Sequence, residues 1–251
     1  MEPKPNTSIP KACIPRDIML QAAMIRLGEV DHEINEGYSI IRKYHKTATI
    51  FGSARLTPEH PYYKAAYEVA YKLAKKDYAI VTGGGHGIMG AANHGAFDAG
   101  GDSIGFNIEL PSEQNLNPWT TENFAFSHFA PRKIVMTLFA NAYIYFPGGF
   151  GTFDELTEII TLIQTGKTAR APVILYGSKF WSKLHEFIVT QLAGELQLIS
   201  PGDANIYTIT DSVDSIIELV EANQTYCDHS PEHAKAEVAR QEQQQDTHRP
   251  E

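Results

Sequence analysis

The chain has little cysteine, no long apolar run and a shortage of positive charge. Cys13 and Cys227 are the only two cysteines, near opposite ends and without metal or redox spacing. They read as incidental thiols of a cytoplasmic protein. Nothing approaches a membrane-spanning stretch, and the N-terminus lacks a continuous apolar h-region, so no membrane association is expected. Lys and Arg number 21 against 30 Asp and Glu, a formal net charge of −9. That balance argues against a broad nucleic-acid surface. One small anionic ligand held by backbone amides and a single Arg remains compatible with it. There is no internal repeat and no Pro/Ser linker, so one domain is expected.

What is present is a regular alternation of strands and helices in a chain that is 43% hydrophobic and 20% charged, an ordinary soluble composition. Val30, Ile34, Tyr38 and Ile41 share a helical face that would pack on the domain or on a second subunit. Residues 47–51, 78–82, 103–108, 124–126, 142–145, 172–176 and 206–209 read as strands. Between and after them, helical spacing runs through Ala65–Ala74, Ala91–Ala96, Pro131–Phe139, Leu156–Ile163, Phe180–Leu192 and Val213–Val220. The pattern predicts an α/β fold: a doubly wound, mostly parallel, Rossmann-like sheet with helices on both faces. The domain would span 16–227, after a flexible 1–15. Residues 228–251 have few large apolar side chains and are expected to be disordered.

The centre of the chain is Phe146-Pro147-Gly148-Gly149-Phe150-Gly151-Thr152-Phe153-Asp154-Glu155. It joins a buried strand to a helix, and the free N–H groups of such a turn favour an anion, most often phosphate. Glu155 stands one turn inside. Thr152-x-x-Glu155 also fits a capping box, in which Glu155 would only bond the backbone of Thr152. Two further turns end strands: Gly52-Ser53-Ala54-Arg55, and Gly83-Gly84-Gly85-His86-Gly87-Ile88-Met89-Gly90. Open α/β sheets place ligands outside such strand ends. Arg55 can equally be a solvated charge, and Trp119 in the loop 112–121 can be pocket wall or packing. Arg132 and Lys133 fall at a helix N-terminus, where each cation opposes the dipole by roughly 0.3–1 kcal/mol, a local violation expected where function demands it. His128 reads as structural. Gly85, Gly87 and Gly90 spell G-x-G-x-x-G, and Glu109 lies where a ribose-binding acid would sit, so an NAD(P)-dependent oxidoreductase is an alternative.

Pro-Gly-Gly-x-Gly-Thr-x-x-Glu resembles the signature of the LOG family of nucleoside 5'-monophosphate phosphoribohydrolases, long labelled lysine decarboxylase-like. The resemblance runs from about Thr47 to Leu184. It implies that Glu155 and Arg132 are catalytic. It also implies that Gly52, Ser53, Gly84, Gly85, Met89, Lys133, Gly148, Gly149, Gly151 and Thr152 bind the substrate, without cofactor or metal. The reaction would release the base of AMP or of a cytokinin riboside 5'-monophosphate from ribose 5-phosphate. The helix dipole would keep Glu155 ionised, as a base or an electrostatic stabiliser. The family further implies a homodimer or higher homo-oligomer. The cytokinin-activating members carry Met-His-x-Arg-Lys where this chain has Phe129-Ala130-Pro131-Arg132-Lys133, which leaves the preferred base open. A non-catalytic nucleotide sensor is a further alternative. The decarboxylase label would require a pyridoxal-phosphate lysine, and nothing marks Lys133 as one.

Overall fold

A computed structural model describes residues 16–109, 116–138 and 140–223. The expectations for 1–15, 112–115 and 228–251, and for Cys13, Cys227 and Phe139, lie outside these residues. Seven strands form one sheet: β1 (Thr47–Phe51), β2 (Ala79–Thr82), β3 (Ser103–Ile108), β4 (Glu122–Phe126), β5 (Ala142–Tyr145), β6 (Val173–Tyr176) and β7 (Tyr207–Thr210). Their order is β4-β3-β2-β1-β5-β6-β7, and every adjacent pair is parallel. The expectation of a mostly parallel sheet is met without exception. Strand order turns outward in both directions from β1 and β5, which makes their shared carboxyl end the topological switch point.

The helices are α1 (Arg16–Ile41), α2 (Pro61–Ala74), α3 (Ile88–Asp98), α4 (Phe129–Leu138), α5 (Phe150–Gln164), α6 (Ser178–Phe187) and α7 (Val213–Ala222). Period-two alternation in the strands builds two cores. Ala48, Ile50, Ala142 and Ile144 pack under α2, α3 and α7. Phe51, Tyr143 and Tyr145 point to the other face, against Ile40 and Ile41 of α1, Val135 of α4, Leu156 of α5 and Trp181 of α6. Phe51 and Tyr145 stack at 4.8 Å across the switch point. Among the described residues no helix is long and apolar enough to cross a membrane.

The carboxyl-terminal half of α1 packs on the domain. Gly37 lies so close to α4 that a Cβ would press into Val135, while Leu20, Met24 and Leu27 are exposed. Two helices differ from the sequence expectation. The helix expected through Leu192 stops at Phe187 and continues as a π-type segment, Ile188–Glu195, a widening that periodicity does not report. The helix expected from Pro131 begins at Phe129. Proline is tolerated anywhere in the first turn, because the N–H it lacks would have no intrahelical partner there.

Candidate active site

A cleft of about 1040 Å³ opens over the carboxyl ends of the central strands, where the glycine turns meet. A smaller cavity of about 230 Å³ lies beside Pro172 and Ile206, at the opposite ends of β6 and β7. It is remote from the glycine turns, which line the larger cleft.

The turn from β5 to α5 supplies the anion-ready end. Gly149 is the N-cap and offers no side-chain hydrogen bond. The amides of Phe150, Gly151 and Thr152 precede the first bond of the helix, which Phe153 donates to Gly149 at 3.1 Å. They lie at the positive end of the dipole and face the cleft. Gly148 has to be glycine because a Cβ would overlap Thr152 Oγ1. The capping-box alternative is overturned here. Thr152 is a buried residue of the third helical position, and Glu155 lies beyond the first turn.

The other two turns lock onto this one through Ser53. Its N–H donates to Pro147 O at 3.0 Å, and its carbonyl accepts from Ile88 N at 2.9 Å. Its hydroxyl accepts from Arg55 N at 3.1 Å. Gly87 has φ +63°, and a Cβ there would overlap Ser53 O. The Gly83–Gly87 turn is shaped from behind by a buried carboxamide network. Thr82 Oγ1 donates to Asn93 Oδ1 at 2.6 Å and accepts from Gly84 N at 2.9 Å. Asn117 Nδ2 donates to Gly85 O at 3.1 Å and to Asn93 Oδ1 at 2.8 Å. Asn93 Nδ2 donates to Ser103 Oγ at 2.9 Å.

Arg132 and Glu155 meet in the floor of the cleft. Arg132 is 8% exposed. Its Nε donates to Phe106 O at 2.7 Å, and its Nη1 stands 3.8 Å from Glu155 Oε1. Burial pulls the guanidinium below its ordinary value, with Glu155 opposing. Burial raises the Glu155 carboxyl to about 7 against the attraction of Arg132, with Asp154 and Glu158 adding repulsion and Lys133 a weaker attraction. The expectation of a firmly ionised Glu155 is therefore corrected. Loss of solvation outweighs the helix dipole and leaves a carboxyl poised to exchange a proton near neutrality.

The other anticipated residues divide. Gly52, Ser53, Gly85, Met89, Gly148, Gly149, Gly151 and Thr152 line the cleft with Arg132 and Glu155; Gly84 and Lys133 do not. Gly84 has φ +67° and serves the turn itself. Lys133 binds Asp154 at 3.0 Å and Glu158 at 3.2 Å. Successive helical residues point about 100° apart, and here Arg132 turns into the cleft while Lys133 turns toward Asp154 and Glu158. No lysine lines the cleft, which leaves a pyridoxal-phosphate reading without an anchor among the described residues. His128 is structural in its contacts: Glu33 of α1 accepts from Ser127 N at 3.1 Å and His128 N at 3.3 Å, and lies 3.1 Å from His128 Nδ1. This carboxylate at the head of α4 offsets the two cations of its first turns. Glu109 accepts from Ser127 Oγ at 3.1 Å and is absent from the cleft wall, contrary to a ribose-binding role. Trp119 stacks on His94 at 4.3 Å, also outside the wall. Further cleft residues are His60, Tyr62, Asn107 and Phe180, which the sequence did not point to, with Arg55 and, from the glycine turns, His86 and Phe150. Phe150 is 95% exposed.

An all-parallel sheet with an anion-ready helix start and a buried Arg-Glu pair at its switch point defines a Rossmann-like protein with its cleft at the carboxyl ends of the strands. Residues 89–220 match the family described as "Possible lysine decarboxylase". The chain is 30% identical over 176 residues to the cytokinin riboside 5'-monophosphate phosphoribohydrolase LOG1 of Arabidopsis thaliana, covering 69% of this chain and 79% of that protein. It is 26% identical over 214 residues to the probable enzyme of the same description, LOGL6, from Oryza sativa subsp. japonica, covering 84% and 81%. The chain belongs to this LOG family. Among solved structures, the molybdenum cofactor carrier protein of Chlamydomonas reinhardtii shares the fold, with TM-score 0.54 at 19% identity over 70% of this chain and 98% of that one.

Proposed function

We propose that the protein is a nucleoside 5'-monophosphate phosphoribohydrolase that cleaves the N-glycosidic bond of AMP or of a cytokinin riboside 5'-monophosphate. The reading is carried by one observation: a buried carboxyl poised near pH 7 beside a buried Arg, one turn from an anion-ready helix start. The amides of Phe150, Gly151 and Thr152 hold the 5'-phosphate, and the ribose lies over Glu155. Water adds through oxygen to C1', one of its protons passes to Glu155, and the C1'–N bond breaks with its electron pair going to the base. The departing base takes up a proton from solvent, and Glu155 returns its proton to solvent, which restores the carboxylate. Charge builds on the sugar as the bond breaks, and a carboxylate beneath it stabilises that charge. Arg132, fixed by Phe106 O, orients the substrate and keeps Glu155 in place. The named activities of the relatives support the same reaction. A homo-oligomer and a cytoplasmic location belong to this reading through the resemblance; sedimentation and cell fractionation test them.

Incubation with AMP should yield adenine and ribose 5-phosphate, and adenosine should react far more slowly because it lacks the phosphate anchor. Chromatography of the released base is the measurement. Equal rates on both substrates would sink the anchor, and no base from any monophosphate would sink the hydrolase.

A further inference from the structure

Asn107 is a polar group in the cleft that this mechanism leaves unused. It lies near the carboxyl end of β3, next to Phe106, whose carbonyl holds Arg132. Its Oδ1 is buried without a hydrogen-bond partner, wedged where a Cβ on Gly84 would overlap it. Buried acceptors are rarely left unpaired, and each such case calls for an explanation. The nearby carboxamides of Asn93 and Asn117 are both hydrogen-bonded. The orphan is therefore a feature of the cleft wall and does not extend to the network behind it.

Met89 and Ile108 line the same cleft and supply apolar surface. With phosphate at the head of α5 and C1' over Glu155, the path from Glu155 through Arg132 to Phe106 leads to this wall. Resting on the reaction proposed above, we propose that Asn107 reads the edge of a 6-aminopurine. The terminal torsion of an Asn side chain is broad and permits the carboxamide to turn out from over Gly84. Oδ1 then accepts from the exocyclic N6–H, and Nδ2 donates to the adjacent ring nitrogen, a bidentate match of Asn to adenine. An N6-alkylated adenine retains one N–H, so the same pair accepts both AMP and an N6-substituted nucleotide.

The experiment compares kcat/KM for AMP and for purine riboside 5'-monophosphate, which lacks the 6-amino group, in the natural protein and in Asn107→Ala. The natural protein should prefer AMP by about tenfold or more. Asn107→Ala should lose most of that preference through AMP alone. Its melting temperature should hold or rise, since no existing Oδ1 hydrogen bond is removed. Asn107→Asp, with the same shape but no donor at neutral pH, keeps the acceptor for N6–H and loses the bond to the ring nitrogen, so it should weaken both nucleotides and retain a preference for AMP. An unchanged preference in folded Asn107→Ala overturns the proposal, as does its loss in Asn107→Asp or a large fall in melting temperature of Asn107→Ala, which would reveal a structural bond. If the natural protein cleaves neither nucleotide, the hydrolase reading fails. Calorimetric affinities of the same two nucleotides for the natural protein and Asn107→Ala then decide the role of Asn107 on their own.

Discussion

Replacing Glu155 by Gln should make the protein more stable at pH 8 while disabling it. Its carboxyl is raised from 4.5 to about 7 in the folded chain. That is about 2.5 units, or about 3 kcal/mol at 1.36 kcal/mol per unit. A raised carboxyl means that the folded state binds the proton more tightly than the unfolded state. Stability present below about pH 4.5 is lost as pH rises toward 7. The natural protein carries the full deficit above that point. Gln keeps the shape without the charge, and the attraction of Arg132 is already contained in the shift. Urea unfolding of both proteins should show a gap in favour of Glu155→Gln that widens by about 2–3 kcal/mol between pH 5 and pH 8. The corresponding rise in melting temperature at pH 8 is roughly 5–10 °C for a domain of this size. Base release from AMP should fall about a hundredfold or more. A variant less stable than the natural protein at pH 8 would refute the reasoning. It would show that buried Arg132 needs its partner more than the cleft suffers from the carboxylate.

Gly148→Ala should weaken AMP affinity at least about tenfold and cost about 1–3 kcal/mol of stability, because the methyl displaces Thr152; titration calorimetry and denaturant unfolding read the two effects, and normal affinity would contradict the packing of this turn. Glu33→Ala should cost about 1–3 kcal/mol by leaving the N–H groups of Ser127 and His128 unpaired at the head of α4. Because Arg132 rides on α4, turnover should fall as well, and a fully stable, fully active variant would separate α1 from the site.

Most of the scaffold is legible in the sequence because apolar strands and glycine turns are local signals. β1, β3 and β5 have the boundaries that their composition predicts. The site is legible only where a motif concentrates it. Arg132 and Lys133 are equivalent neighbours on paper, and the helix separates them, one into the cleft and one toward Asp154 and Glu158. Thr152-x-x-Glu155 fits a capping box by spacing alone, yet Gly149 takes the cap position and leaves the turn amides clear of a capping side chain. The protonation of Glu155 depends on burial by residues far apart in the chain, which no local spacing encodes. Asn107, a single amide in an apolar strand, has no pattern at all.

Ser53 uses its N–H and carbonyl to bind the β5–α5 turn and the start of α3, and its hydroxyl to brace its own turn at Arg55. The three glycine turns are thereby hydrogen-bonded into one block. On the proposed function, a nucleotide would meet amides held in place beforehand, and little of its binding energy would be consumed in freezing loops. Discrimination would then fall to side chains of the cleft wall, such as Met89, Asn107 and Phe150. Base preference could drift over evolution by substitution at those positions while Arg132 and Glu155 stay untouched.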